Sequence, residues 1–505
     1  MRGKIDYLLI TFAVGSSLIG ILTLLGGGGI GEELAFKKTL WLIIGVALML
    51  VFAFTNYQKL GVYAPLLYGL GILLLVLTLL PFVGTKIKGA RAWLRLYGMG
   101  FQPSEFMKLF LVIALSRYLV LRETEIDKPR ELIIPALMAL VPAVLIALQP
   151  DLGYAMMYLV LLFALLYIGG ANTSVIFGFA IVGFSTLVIP LYLEYEKYIL
   201  VDDLYARLKE INFRLADAVR VLSFEIWEYI ERPELSGLIS EKDSLKRWAA
   251  MELVKSDNLA LLKTIVQDLE KENPSLLRDF FRSNLAMILS IVVLALIYFI
   301  FWVLYYAIRR AWYRRITTMA LIGALSLAGA FVFRKLVNFK PHQVVRIISF
   351  ANPEKFPKGA GYQLRHSLIT LGSGKILGKG IFKGDMTRGE TPYLPEWYND
   401  FIFSVIGEQF GLWGTTLTLF FLFGLVFRGV QIALQSKDDF GALLAAGITV
   451  IFFSHIVINI GIALGLLPVT GIPLVFVSYG GSNMIVSFIA VGILLNIYMR
   501  RFINA

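Results

Sequence analysis

The chain of 505 residues has no cysteine, which excludes disulfides, thiolate catalysis and thiolate metal sites. Histidine is almost absent too. His342, His366 and His455 are the whole set, too scattered for a zinc triad. Charge is scarce as well: 16% of residues are Asp, Glu, Lys or Arg, whereas 58% are hydrophobic, and mean hydropathy is +0.75. That balance excludes an ordinary soluble domain. The spacing GxxxxGK[ST] is missing, so a phosphate-binding loop of the nucleotide-hydrolase kind is not expected from Gly374, Lys375, Gly378 and Lys379. No nucleic-acid partner and no organic cofactor are expected.

Long apolar runs are abundant. A bilayer is crossed by about 20 apolar residues in a helix, and runs of that kind predict twelve spans, near 5–26, 38–55, 63–83, 103–120, 131–148, 153–169, 173–193, 285–308, 315–335, 400–427, 441–466 and 480–500. The first run ends in Gly26-Gly27-Gly28-Gly29 without a small-residue cleavage site, so a retained signal anchor is expected. The fold class is all-α and polytopic. Lys and Arg favour cytoplasmic loops. Arg2 and Lys4, the 117–130 loop, the 309–315 turn, and Arg500 with Arg501 all then fall inside, as do both termini. Two outer loops break the rule. The loop 84–100 carries Lys86, Lys88, Arg91 and Arg95, and the loop 336–399 carries Arg346, Lys375 and Lys379 among nine Lys and Arg. Long loops cross regardless of charge, but an anionic ligand at the outer face would also call for such cations.

Residues 194–284 differ in kind. They hold 18 acidic and 14 basic residues, so they are net −4 in a chain of net +12. Leu204, Leu208, Ile211, Leu215, Val219 and Leu222 recur at helical spacing. A small helical extracytoplasmic insertion is predicted. It divides the chain into residues 1–193 with seven spans, the insertion 194–284, two further spans in 285–335, an outer loop 336–399, and three spans in 400–505.

The polar groups beside the spans carry the chemistry. Glu105 and Lys108 stand at i, i+3 in Gln102-Pro103-Ser104-Glu105-Phe106-Met107-Lys108 and can pair on one helix face. Ionisable groups in a membrane face a partner or a cavity, so both a structural pair and a site are open readings. Asp151, in Gln149-Pro150-Asp151-Leu152-Gly153, is placed to cap the next helix. In Leu394-Pro395-Glu396-Trp397-Tyr398-Asn399-Asp400, Glu396 and Asp400 are four residues apart at the mouth of a span, where Asp400 could cap the helix or act chemically. The stretch from Gly465 to Ser482 reads as irregular backbone at membrane depth, tolerated only inside protein or beside a polar cavity.

Taken in order, Gly89-Ala90-Arg91-Ala92-Trp93, Phe101–Glu105, Gln149–Gly153, Gly361-Tyr362-Gln363, Gly372-Ser373-Gly374, Leu394–Phe403 with Gly407-Glu408, and Pro468–Ser482 resemble the RodA/FtsW (SEDS) family of peptidoglycan glycosyltransferases, and the 468–473 wording is most like its RodA branch. The resemblance leaves out roughly 194–310. It implies a ten-helix core, here with two extra spans bracketing the insertion. It implies polymerisation of lipid II at the outer face of the bacterial cytoplasmic membrane, with Asp400 as catalytic base. Glu105, Lys108, Asp151, Arg91, Trp93, Arg346, Lys375, Lys379, Glu396 and Ser482 are the expected substrate-binding or cavity residues. A Mg²⁺ or Mn²⁺ ion is a possible requirement. A class B penicillin-binding protein and other elongation-complex membrane proteins are the implied partners. A lipid II flippase and a non-catalytic scaffold are the competing readings.

Overall fold

The structure is a computed structural model. It describes residues 5–87, 90–96, 99–122, 129–222, 244–272, 290–300, 311–336, 350, 360–384 and 394–501. The chain divides into two compact units, Met1–Ile176 with Ser349–Ala505, and Phe177–Ile348.

In the first unit the apolar runs become helices α1 (Tyr7–Leu25), α2 (Gly28–Phe54), α3 (Tyr57–Val62) and α4 (Ala64–Leu79). A small sheet follows, with β1 (Gly84–Ile87), β2 (Ala90–Leu96) and β3 (Met99–Phe101), and then come α5 (Pro103–Leu121), α6 (Ile133–Leu148) and α7 (Leu152–Ile168). The helix α8 (Thr173–Ile211) leads into the second unit, which also holds α9 (Phe213–Leu222), α10 (Ser244–Val254), α11 (Ser256–Glu272), α12 (Ser290–Ile300) and α13 (Ala311–Leu336). Helices α14 (Ala360–Ser373), α15 (Ile402–Leu434), α16 (Asp439–Ala463) and α17 (Gly481–Arg500) complete the first unit. Each of the twelve predicted spans falls on a helix, the one near 285–308 being described over 290–300.

Polar residues start the helices where the backbone needs acceptors. Asp6 accepts from the Leu9 amide at 3.2 Å, and Asp438 accepts from the Gly441 amide at 2.6 Å, each satisfying an orphan N–H of a first turn. Helix α17 is almost wholly enclosed and packs along α2, while α2 leaves much of its own surface open, as lipid-facing helices do.

Three features depart from the sequence reading. The predicted loop 84–100 contains an antiparallel sheet of order β1-β2-β3, with Thr85 opposite Trp93 and Leu94 opposite Phe101. Its signal was a short alternation, Ala90, Ala92, Leu94 and Leu96 against Arg91, Trp93 and Arg95, which is strand spacing. The second departure is α8, which has no break at residue 193. Its 39 residues span about 58 Å at 1.5 Å per residue. Third, the loop 336–399 contains helix α14.

The insertion core is built from the second half of α8 with α9, α10 and α11, around Leu204, Leu208, Leu215, Val219, Leu222, Leu253 and Leu262. Ile211 leaves the expected series and is exposed. Helix α8 ends at Ile211, and the Asn212 side chain accepts from the Leu215 amide at 3.1 Å. The cap restarts the helix and changes its phase.

Candidate functional site

The segment 394–400 is a chain of turns seated on the corner between α1 and α2. Leu394 and Trp397 are its buried anchors. The glycines that end the first apolar run make the seat. A Cβ on Gly27 would collide with the Trp397 ring, and one on Gly26 would collide with the Ile381 carbonyl and the Gln409 amide. Gln409 Nε2 donates to the Thr23 carbonyl at 3.1 Å, pinning α15 to the same corner.

Asp400 is 7% exposed. Its carbonyl accepts from Asn459 Nδ2 at 3.1 Å, and the same amide donates to the Ile472 carbonyl at 2.9 Å. Asp400 is not the cap of α15. Phe401 occupies that place, with no side-chain cap bond. Glu396 shapes the turn instead: it adopts φ 58°, and its carbonyl accepts from the Asn399 amide at 3.0 Å.

The irregular segment 468–480 lies beside this loop and carries it. Ser478 Oγ donates to the Asn399 carbonyl at 2.6 Å and accepts from the Leu474 amide at 2.8 Å. The Tyr479 amide donates to the Tyr398 carbonyl at 3.0 Å. Phe476, wedged between Phe452 and Phe488, has φ 62°. A bulky residue in that region stores about 1–3 kcal/mol of strain and stays there only when its surroundings hold it.

A buried polar cluster meets the segment at Pro473. Glu105 Oε2 meets Lys108 Nζ at 2.9 Å, both fully enclosed on α5. The Tyr154 hydroxyl donates to Glu105 Oε1, and Asn483 Nδ2 donates to Oε2 at 3.2 Å. Lys108 Nζ also meets His455 Nε2 at 2.6 Å, while His455 Nδ1 meets the Pro473 carbonyl at 2.8 Å. A carbonyl only accepts and an ammonium only donates. The imidazole is therefore neutral, with its proton on Nδ1. Asp151 lies within electrostatic range of Lys108, and Glu105, Asp151 and Asp400 all lie within range of Tyr154. The structure thus gathers Glu105, Lys108, Asp151 and Asp400 into one neighbourhood. Asp151 also caps α7 as expected, accepting from the Tyr154 amide at 3.4 Å.

The remaining predicted residues have other surroundings. Arg91 and Trp93 lie on β2, in the sheet that packs over α4, α5 and α17. Ser482 Oγ accepts from the Gln102 amide at 3.0 Å and ties the start of α17 to the start of α5. Lys379 is paired with the buried Glu408 at 2.9 Å. Lys375 is exposed in a turn at φ 52°. Arg346 lies outside the described residues. The His366 ring lies against that of Tyr362, tilted by 37°, and burial, reinforced by Arg365, pushes its imidazole pKa below the usual value.

The stretch 374–380 is a backbone zipper, not a phosphate cradle. Helix α15 is kinked at Gly411, which has φ 64° and ψ −156°. Into that kink fit Gly374 and Gly378: the Lys379 amide donates to the Glu408 carbonyl at 2.8 Å, the Gly380 amide to Gln409 at 2.9 Å, and the Leu412 amide to Lys375 at 2.9 Å. A Cβ on Gly374 would strike the Gly407 carbonyl, and one on Gly411 the Gly378 amide.

Sequence reading missed Lys38, His455, Asn459 and Asn483. Each is a polar residue in an apolar run, which is the available signal. Among the described residues no three His, Cys, Asp or Glu side chains come together to hold a metal ion. The described residues thus offer no ready-made all-protein cage for Mg²⁺ or Mn²⁺.

The FTSW_RODA_SPOVE family model, described as cell cycle protein, matches residues 9–214 and 265–502. The chain belongs to this family. RodA of Treponema pallidum, named a peptidoglycan glycosyltransferase, is 28% identical over 502 residues, 98% of each chain. Stage V sporulation protein E of Bacillus subtilis is 40% identical over 36% of this chain and 48% of its own. MrdB of Escherichia coli K12 is 41% identical over 32% and 43%. Among solved structures, a chain of a peptidoglycan synthase complex aligns at TM-score 0.57 and 22% identity, covering 99% of this chain and 98% of that one. A mutant of Thermus thermophilus RodA aligns at 0.51 and 19%, over the same shares. These two show the fold. The internal gap in the family match is 215–264, narrower than the 194–310 that the motifs left out, so all of α8 and all of α13 lie in family-matched sequence.

Proposed function

We propose that this FtsW/RodA/SpoVE-family protein is a peptidoglycan glycosyltransferase of the bacterial cytoplasmic membrane. It polymerises lipid II at the outer face during cell elongation. The observation that carries the reading is Asp400: a nearly buried acidic residue on a turn whose backbone is fixed by Asn459, Ser478 and Tyr479. The match to a relative named RodA over 98% of both chains supports it.

In the proposed step the 4-hydroxyl oxygen of the acceptor sugar attacks the anomeric carbon of the donor. Asp400 takes the hydroxyl proton, the new C–O bond forms, and the bond to the lipid diphosphate breaks with its electron pair on the diphosphate. A general base works within hydrogen-bond reach of that proton, which is what a fixed backbone secures. Fixed cations steady the leaving charge. Lys375 and Arg91 are the described candidates, since Lys379 arrives already paired with Glu408. Glu105 and Lys108 serve as the buried keystone beneath the site. The insertion 194–284 is extracytoplasmic in this scheme, both chain termini are cytoplasmic, and a class B penicillin-binding protein crosslinks the product.

Purified protein supplied with lipid II, in a preparation free of other polymerases, makes glycan strands under this reading. A protein that moves lipid II across vesicles yet leaves it unpolymerised is a flippase, and one that does neither is a scaffold.

A further inference from the structure

Two buried bases that take no part in the proposed step hold carbonyls of the segment beside Asp400. Lys38, on α2, is 1% exposed and donates to the Val477 carbonyl. The fit is specific to a side chain passing through the helix pair, because a Cβ on Gly20 would collide with both the Lys38 ammonium and the Val477 carbonyl. His455, on α16 and equally enclosed, donates from Nδ1 to the Pro473 carbonyl. Between those two carbonyls lie Leu474, Val475 and Phe476, the last at φ 62°. Just past them, Ser478 and Tyr479 grip the carbonyls of Asn399 and Tyr398.

We propose that Lys38 and His455 are positioning residues for Asp400. Each holds one side of the strained turn around Phe476, and the turn holds the backbone that presents the carboxylate. Neither touches the reacting atoms. A free carbonyl at either point releases the left-handed Phe476, and the Asn399–Asp400 backbone moves with Ser478 and Tyr479. Displacement of a reacting group by about 1 Å costs up to about a hundredfold in rate, so the effect falls on kcat.

The inference rests on the proposed role of Asp400 for its kinetic consequence, but its geometric content can be read without activity. The chain has no cysteine, so Asn399→Cys places a lone thiol on the loop. Its labelling by a maleimide reports whether the loop is held. Lys38→Met and His455→Leu are each expected to speed labelling at least about fivefold and, in the Asn399 background, to lower kcat at least about tenfold with KM within about twofold of the parent. His455→Gln keeps an amide N–H for Pro473 and an oxygen for Lys108, so it restores both readouts to within about threefold. That rescue separates lost positioning from lost folding. Because both residues act through one turn, the double variant loses less than the product of the single losses. Unchanged labelling in Lys38→Met and His455→Leu overturns the proposal, as does a Gln variant no better than Leu. Faster labelling in a protein that never polymerises lipid II leaves the clamp standing and removes the enzymatic reading instead.

Discussion

Two irregular stretches sit against the helices of the first unit, and they are held in opposite ways. The stretch 374–380 is fixed by absence of side chains: Gly374, Gly378 and Gly411 let backbone lie on backbone at the kink of α15. The stretch 472–480 is fixed by presence of side chains: Asn459, His455, Lys38 and Ser478 each hold a main-chain group. The first is a rivet that tolerates no added atom. The second is a set of adjustable struts that tolerates shape but needs its donors. The proposed chemistry, at Asp400, sits beside the second, whose donors set the backbone without added bulk.

Substitutions that attack each mode separately sharpen the contrast. Glu105→Gln has the largest expected effect on stability. It leaves the Lys108 ammonium enclosed without its counter-charge, a loss of about 3–5 kcal/mol. Thermal unfolding in detergent checks it, and Glu105→Gln with Lys108→Met unfolds at a higher temperature than Glu105→Gln alone. Gly378→Ala comes next. It puts a Cβ against the Gln409 carbonyl at φ 78°, which destabilises by about 2–4 kcal/mol. Ser478→Ala removes two hydrogen bonds at about 1–3 kcal/mol. Its polymerisation rate falls further than its stability, whereas the Gly378 variant loses both together. Lys375→Ala, exposed on the rivet, shifts stability by less than about 0.5 kcal/mol, and a raised KM for lipid II is its only expected trace.

Most of the architecture is legible in the sequence because the bilayer demands one simple thing, a run of apolar residues long enough to cross it. The sheet was hidden because its strands are short and its alternation sets Ala against Arg. The phase slip at Asn212 was hidden because a cap in mid-pattern looks like one more polar position. In the site, Asp400, Glu105, Lys108 and Asp151 announce themselves as charges beside spans. Lys38 does not. It follows Lys37, which pairs with Glu33 on the surface at 2.5 Å, and only the packing of Gly20 shows that the second lysine of the two turns inward. Lys379 shows the converse. A lysine among glycines gives no sign of its partner Glu408, 29 positions away, which only the fold brings beside it.

The central claim is that the held carboxylate of Asp400 does chemistry. Purified wild type and Asp400→Asn, given the same lipid II, test it by the rate of glycan formation. The account predicts a loss of about 100-fold or more for the Asn variant, with unfolding temperature within a few degrees of wild type. Glycan strands formed by Asp400→Asn at the wild-type rate would contradict it.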